Sequence, residues 1–195
     1  MNSANPKSPS TVYAFIDASN LWEVQKAKGR LLDYRKLSAH LATAFQGATI
    51  RVFFYSAYPD EGTRDYDLGG RHKFYTFLRK GLGFDVITKA LKQINVRTDC
   101  GMAVKEKGNM DVEMTIDAIH NRDGYDIAVF FSGDSDFLAL ITYLRNAGKQ
   151  VHVYSSENNV STELKTGGDG YVDVLDIQDD VWGDEIKHRQ AGKPK

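Results

Sequence analysis

The feature that most constrains this chain is a set of short apolar runs separated by longer segments of helical period. The runs span 12–16, 49–55, 84–88, 127–131, 151–154 and 172–177, and they are rich in Val, Ile, Phe and Tyr. The first and fourth are apolar throughout, as strands covered on both faces should be. Between the runs, 34–45 carries Leu37, Leu41 and Phe45 on one face, and 70–82 carries Phe74, Phe77, Leu78 and Leu82 before Gly83. Two further helices are expected. One covers 110–121, with Val112, Ile116 and Ile119 as its core stripe; the other covers 136–146, with Phe137, Leu140, Ile141 and Leu144 inward and Gly148 as C-cap. Strand and helix alternating at this spacing predict an α/β fold, a doubly wound and mostly parallel central sheet flanked by helices. A chain of 195 residues suits one compact domain, expected over 11–178, with a polar leader at 1–10 and an acidic then polar tail at 179–195.

Composition narrows the class. Hydrophobic residues at 42% and charged residues at 26% fit a soluble globular protein. One cysteine, Cys100, excludes an internal disulfide and fits a reducing compartment. No apolar run approaches the roughly 18 residues of a spanning helix, and the first residues lack the pattern of a secretory signal. A cytoplasmic protein without membrane attachment is expected.

The net charge of −1 hides a lopsided distribution. Residues 71–107 hold nine Lys or Arg against three acids, whereas 169–185 hold seven acids and no base. Two readings stand: solvated faces that neutralise each other, or a basic footprint for a phosphate backbone. In the second, Arg71, Lys73, Lys92, Arg97, Lys105 and Lys107 are the candidate contacts to that backbone. Charge alone does not decide between them.

Ligands of open α/β sheets collect beyond the C-terminal ends of strands. The run ending at Ile16 is followed by Asp17-Ala18-Ser19-Asn20, and the run ending at Phe131 by Ser132-Gly133-Asp134-Ser135-Asp136. Either acid group taken singly is explained by helix capping. Three aspartates with serines and an asparagine at one sheet edge are poorly explained by capping alone. Asp111 joins them from the first turn of its helix, where the dipole favours a carboxylate in any case. Asp117 follows about 120° further round the helix, and Glu113 shares its face, which solvent alone would explain. Clustered carboxylates repel, so they call for a proton or a cation. An all-oxygen set without histidine selects Mg²⁺ or Mn²⁺ over zinc, and the chemistry natural to such a site is phosphodiester hydrolysis. The histidines (40, 72, 120, 152 and 188) show no metal-ligand spacing. Tyr55, Tyr58, Phe74 and Tyr75 are read chiefly as packing residues, with base stacking as the alternative. Trp22 is read as an anchor of the turn or a rim contact to substrate, and Trp182 as a terminal anchor or partner contact.

At these residues the chain resembles the NYN (LabA-like) family, a branch of the PIN-like metal-dependent nucleases. The resemblance rests on FIDASNLW (15–22), KFYTFLRKGLGFDVITKAL (73–91), KGNMDVEMTIDAI (107–119), VFFSGDSDFLALITYLRNAGKQVHVY (129–154) and VSTELKTGGDGYVDVLDI (160–177). SGDSDF together with KGNMD is its specific part. The resemblance implies a Rossmann-like PIN fold with an acidic pocket for Mg²⁺ or Mn²⁺. By motif position it makes Asp17, Asp111, Asp134 and Asp136 the metal-binding and catalytic acids. Asn20 and Ser132 become polar supports, and Asp117 an accessory acid. Two departures stand out: Ala18 where many members have Gly, and an insertion over 95–104 that is expected as a loop over the pocket. The implied activity is hydrolysis of single-stranded RNA. The alternative is a regulatory module that binds RNA or protein without catalysis, and pairing of two copies is open.

Overall fold

The computed structural model describes residues 10–59, 69–98 and 101–186. The central layer is a six-stranded sheet in which every pairing is parallel. Its strands are β1 (Thr11–Asp17), β3 (Thr49–Tyr58), β4 (Asp85–Ala90), β7 (Ile127–Phe131), β8 (Gln150–Ser155) and β9 (Gly170–Asp173), in the order β4-β3-β1-β7-β8-β9. β1 and β7 lie at the centre and are buried on both faces, which is why their runs are apolar without alternation.

One face packs under helices α1 (Ala18–Lys28) and α2 (Tyr34–Ala44). Leu21, Val24, Leu37 and Leu41 meet Val12, Ile16, Phe54 and Phe131 there. Helix α3 (Gly69–Thr76) runs into a π turn at Phe77–Gly81 and adds Tyr75 and Leu78 to the same layer. The opposite face packs under α4 (Asp111–His120), α5 (Leu138–Asn146) and α6 (Thr162–Gly167). Across its middle, Phe53, Phe15 and Phe130 stack from three neighbouring strands with centroids 5.3 and 5.1 Å apart. This ladder fixes the register of β1 against both partners, Phe15 opposite Phe53 and opposite Phe130.

The chain leaves β1 toward β3 on one side and enters β8 from β7 on the other. The C-terminal ends of β1 and β7 therefore flank the topological switch point, where open α/β sheets hold their ligands.

Four sequence expectations change. Helix α4 buries Met110, Met114 and Ala118, while Val112 and Ile116 stand 63% and 58% exposed and Ile119 lies at the surface. Both sets have helical spacing. In this rotation Met114 and Ala118 are fully buried, Glu113 pairs with Lys89 at 2.7 Å and Asp117 accepts the Tyr55 hydroxyl at 2.9 Å. The insertion over 95–104 is no plain loop. It belongs to an antiparallel ladder of β5 (Lys92–Thr98) and β6 (Gly101–Lys107), separate from the main sheet. The run at 172–177 leaves the sheet at Asp173, whose carboxylate accepts the Leu175 N–H at 2.8 Å and starts a 3₁₀ turn. Residues 179–185 are no free tail. β10 (Trp182–Glu185) pairs with β2 (Arg30–Leu32), and Val181 and Trp182 are buried against the α1/α2 layer. The leader to residue 9, Cys100 and the stretch after 186 lie outside the described residues.

Candidate functional site

The site grows from two turns. Asp17 ends β1 and caps α1, its Oδ1 accepting the Ser19 N–H at 2.9 Å, the Ser19 hydroxyl at 2.7 Å and the Asn20 N–H at 3.4 Å. Capping is therefore real at Asp17, but all three bonds fall on one oxygen. After β7, Asp134 caps the short turn Ser135–Phe137 by accepting the Asp136 N–H at 3.0 Å, while its own N–H donates to Ser132 Oγ at 3.3 Å. Ser132 is fully buried beneath this turn. Gly133 is obligatory there: a Cβ would strike the Asn159 carbonyl oxygen and come within 2.7 Å of Ser155 Oγ.

Asn20 joins the two turns. Its Oδ1 accepts the Gly133 N–H at 3.0 Å and the Ser155 hydroxyl at 3.4 Å. Asp111 enters from α4, where its Oδ2 accepts from the Asn109 side-chain amide.

These placements bring carboxylate oxygens of Asp111, Asp134 and Asp136 within 4.8 Å of one another. Asp17 lies outside this tightest group yet is coupled to it. Burial foremost raises its carboxyl above the usual range, with the Asp134 charge adding to the effect. Asp111 is pushed up to about 6, first by desolvation and then by Asp17, Asp134 and Asp136. Two buried or half-buried carboxyls raised in this way, beside two further carboxylates, describe a site short of positive charge. An all-oxygen donor set of this kind suits a hard divalent cation.

Asp117 is not brought into the group. It faces β3 and accepts from the buried Tyr55, whose hydroxyl pKa is raised by burial and by that carboxylate. Glu113 is held by Lys89, which draws its carboxyl below the usual range.

The basic candidates disperse. Arg71 borders a cavity beside Asp17, and Lys73 is exposed two residues further round α3. Lys92 and Arg97 are exposed on β5, but five residues apart on a strand they point to opposite faces. In the ladder Lys92 stands opposite Lys107, and Ile94 opposite Lys105. Of the remaining bases in the stretch, Lys89 is taken by Glu113, and Arg79 donates to the Val86 carbonyl at 2.9 Å.

Two features were not signalled in the sequence. Asn109 lies within KGNMD but has no role of its own in the sequence reading, yet it donates to Asp111 and lines the neighbouring cavity. That cavity, of about 530 Å³, runs from Asp17 past Trp22 and Tyr34 to Phe74. A second, more open groove of about 340 Å³ lies on the other side of the acids, lined by Asp111, Val112, Ile116 and Asp136.

No helix among the described residues is long and apolar enough to cross a membrane. Comparison with known proteins adds the family. The chain is 29% identical over 174 residues to the low amplitude and bright protein LabA of Synechococcus elongatus, covering 87% of each chain. The crystal structure of a protein of unknown function, VPA0982 from Vibrio parahaemolyticus, superposes with a TM-score of 0.69 at 24% identity. That match covers 91% of this chain and 99% of the other and supports the same fold. The model of the NYN domain matches residues 11–176, which include the switch point and all four acids. The chain belongs to the NYN domain family.

Proposed function

We propose that this protein is a divalent-metal-dependent ribonuclease acting on single-stranded RNA at the Asp17, Asp111, Asp134 and Asp136 carboxylates. The observation that carries the reading is the convergence of Asp111, Asp134 and Asp136 oxygens within 4.8 Å at the switch point of an NYN domain. These acids would hold Mg²⁺ or Mn²⁺. When bound, the cation supplies charge neutralisation at a phosphate and acidifies water.

The rest of the work belongs to the chain. Asp17 commits Oδ1 to the helix cap, which leaves Oδ2 as its donor atom. Asn20 ties the two acid-bearing turns together, and the buried Ser132 braces the second of them by accepting the Asp134 N–H. Asp111 and Asp136 border the open groove along α4, a path by which a strand reaches the acids. Arg71 stands beside the cavity on the other side as a phosphate contact, with Lys73 exposed on the same helix. Lys92 and Arg97, by contrast, face opposite ways from β5, and Lys105 and Lys107 stand on the strand paired with it, so these four form no single patch with Arg71.

The test is incubation of labelled single-stranded RNAs with the purified chain in Mn²⁺, Mg²⁺ or EDTA, with analysis of product ends. Cleavage only with a divalent ion, giving 5′-phosphate and 3′-hydroxyl ends, is the expected result. A folded protein that binds RNA and cleaves none under any metal overturns the nuclease reading in favour of a binding module.

A further inference from the structure

The cavity beside Asp17 has a composition that metal binding does not explain. Its walls are apolar and aromatic, with Tyr34, Phe54, Phe74 and Tyr75 inside and Trp22 and Leu31 at the rim. Its volume of about 530 Å³ falls within the range of small-ligand sites, roughly 300–1,000 Å³. Trp22 is 42% exposed at the edge of an otherwise ordered layer, so its ring keeps a free face. Polar groups are the minority of its lining: Asp17 and Ser19 at the acid site, the buried Ser56 Oγ and Tyr75 hydroxyl 2.8 Å apart, and Arg71 and Asn109. Gln25 also borders the cavity, but its amide is committed to the Leu21 carbonyl and the Leu32 N–H.

We infer that this cavity receives one unstacked nucleobase of the RNA strand, next to the phosphate held at the acids. The inference rests on the nuclease reading and adds the subsite that seats the substrate. A base is flat, uncharged and π-faced, with hydrogen-bonding groups only at its edge. It therefore matches aromatic walls that carry a few polar groups, and every base offers a face to stack. The cavity's position supplies the connection. Asp17 and Asn109 line it, and the same two residues touch the carboxylate cluster, Asp17 by charge and Asn109 through Asp111. A base seated there leaves its own phosphate at the acids, with Arg71 at the cavity edge as a further anion contact. The negative charge beside the opening disfavours an acidic apolar ligand such as a fatty acid.

Tryptophan fluorescence of the full chain tests this, because the chain has two tryptophans and Trp182 is buried away from solvent. Short single-stranded RNA is titrated in Ca²⁺, in parallel with a ribose-phosphate strand of equal length that lacks bases. Strand binding is followed by anisotropy of a terminal label. RNA should quench emission saturably, the baseless strand should not, and Trp22→Phe should remove most of the signal. Trp22→Ala should weaken RNA binding by about tenfold, as the loss of one base–aromatic stack implies, and Leu31→Glu, which sets a carboxylate at the exposed rim, should weaken it as well. Strand binding with unchanged emission, and with both variants equal to wild type, overturns the inference. Quenching without cleavage under any metal refutes the nuclease reading and leaves the base site standing. Cleavage without quenching refutes the base site alone. RNA that neither binds nor is cleaved overturns both.

Discussion

The Asn20 side-chain oxygen accepts the buried Gly133 N–H at 3.0 Å, tying the turn that carries Asp17 to the turn that carries Asp134 and Asp136. Asn20→Ala leaves that N–H without its partner. The expected cost is about 1–3 kcal/mol of stability, read by denaturant unfolding. Divalent-ion affinity should fall by about tenfold or more, because a group that orients ligands is lost. Stability lost with unchanged affinity would show that Asn20 supports the fold without organising the acids.

Asp111 gives a pH-dependent signature in metal-free protein. Its carboxyl is held at about 6 in the folded chain, against about 3.9 when unfolded. The unfolded chain therefore ionises first, and folded stability falls as pH rises from about 4 to about 6, then stays at the lower level. Asp111→Asn removes the effect. In EDTA at pH 7.5 the variant should melt roughly 2–4 °C above wild type, equivalent to about 1 kcal/mol. Solvent screening and the lost helix-terminus position keep the gain that small. At pH 4 the two should coincide, and excess Mn²⁺ should reverse the order at pH 7.5. A variant less stable than wild type in EDTA at pH 7.5 would contradict the repulsive cluster.

Asp117 separates structural from functional acids. Asp117→Asn keeps an acceptor for the Tyr55 hydroxyl, so stability should change by less than about 0.5 kcal/mol. Mn²⁺ affinity should stay within about twofold of wild type, since Asp117 stands outside the converging group. A large loss of metal binding in this variant would return Asp117 to the site.

Helix α4 offers a packing test. Met114 is fully buried, so Met114→Ala should cost about 2–5 kcal/mol. Ile116→Lys, at a position 58% exposed, should leave the melting curve within about 0.5 kcal/mol of wild type. Equal destabilisation by the two would place the aliphatic stripe in the core after all.

The same helix shows what the sequence made legible and what it did not. The continuous apolar runs of β1 and β7 could only be central strands, and the acids that follow them had to emerge at one sheet edge. The fold and the gathering of acids at one sheet edge were therefore readable, but not that Asp17 stands outside the tightest group of Asp111, Asp134 and Asp136. The face of α4 was not readable, because Met110/Met114/Ala118 and Val112/Ile116/Ile119 share helical spacing, and only tertiary contacts, among them those of Glu113 with Lys89 and Asp117 with Tyr55, distinguish the two. The β5–β6 ladder was hidden because its exposed strands mix polar residues with Ile94, Met102 and Val104. Trp182 was singled out, but its seat depends on an antiparallel pairing between Leu32 and a residue 150 positions later, which no local pattern encodes. The cavity was least legible. Its walls come from β2, β3, α1, α2 and α3, and although base stacking for Phe74 and Tyr75 and a rim contact for Trp22 stand as alternatives in the sequence, no local pattern sets them round one cavity.

The most direct test of the central claim is the rate of single-stranded RNA cleavage as a function of Mn²⁺ for wild type and for Asp17→Asn, Asp111→Asn and Asp134→Asn, with Mn²⁺ binding measured on the same preparations. The account expects a rate that saturates with bound Mn²⁺ in wild type and vanishes in EDTA. Each variant should lose about 100-fold or more in rate while remaining folded, with weakened Mn²⁺ binding in parallel. Cleavage at wild-type rates by the variants, or cleavage that persists in EDTA, would contradict it.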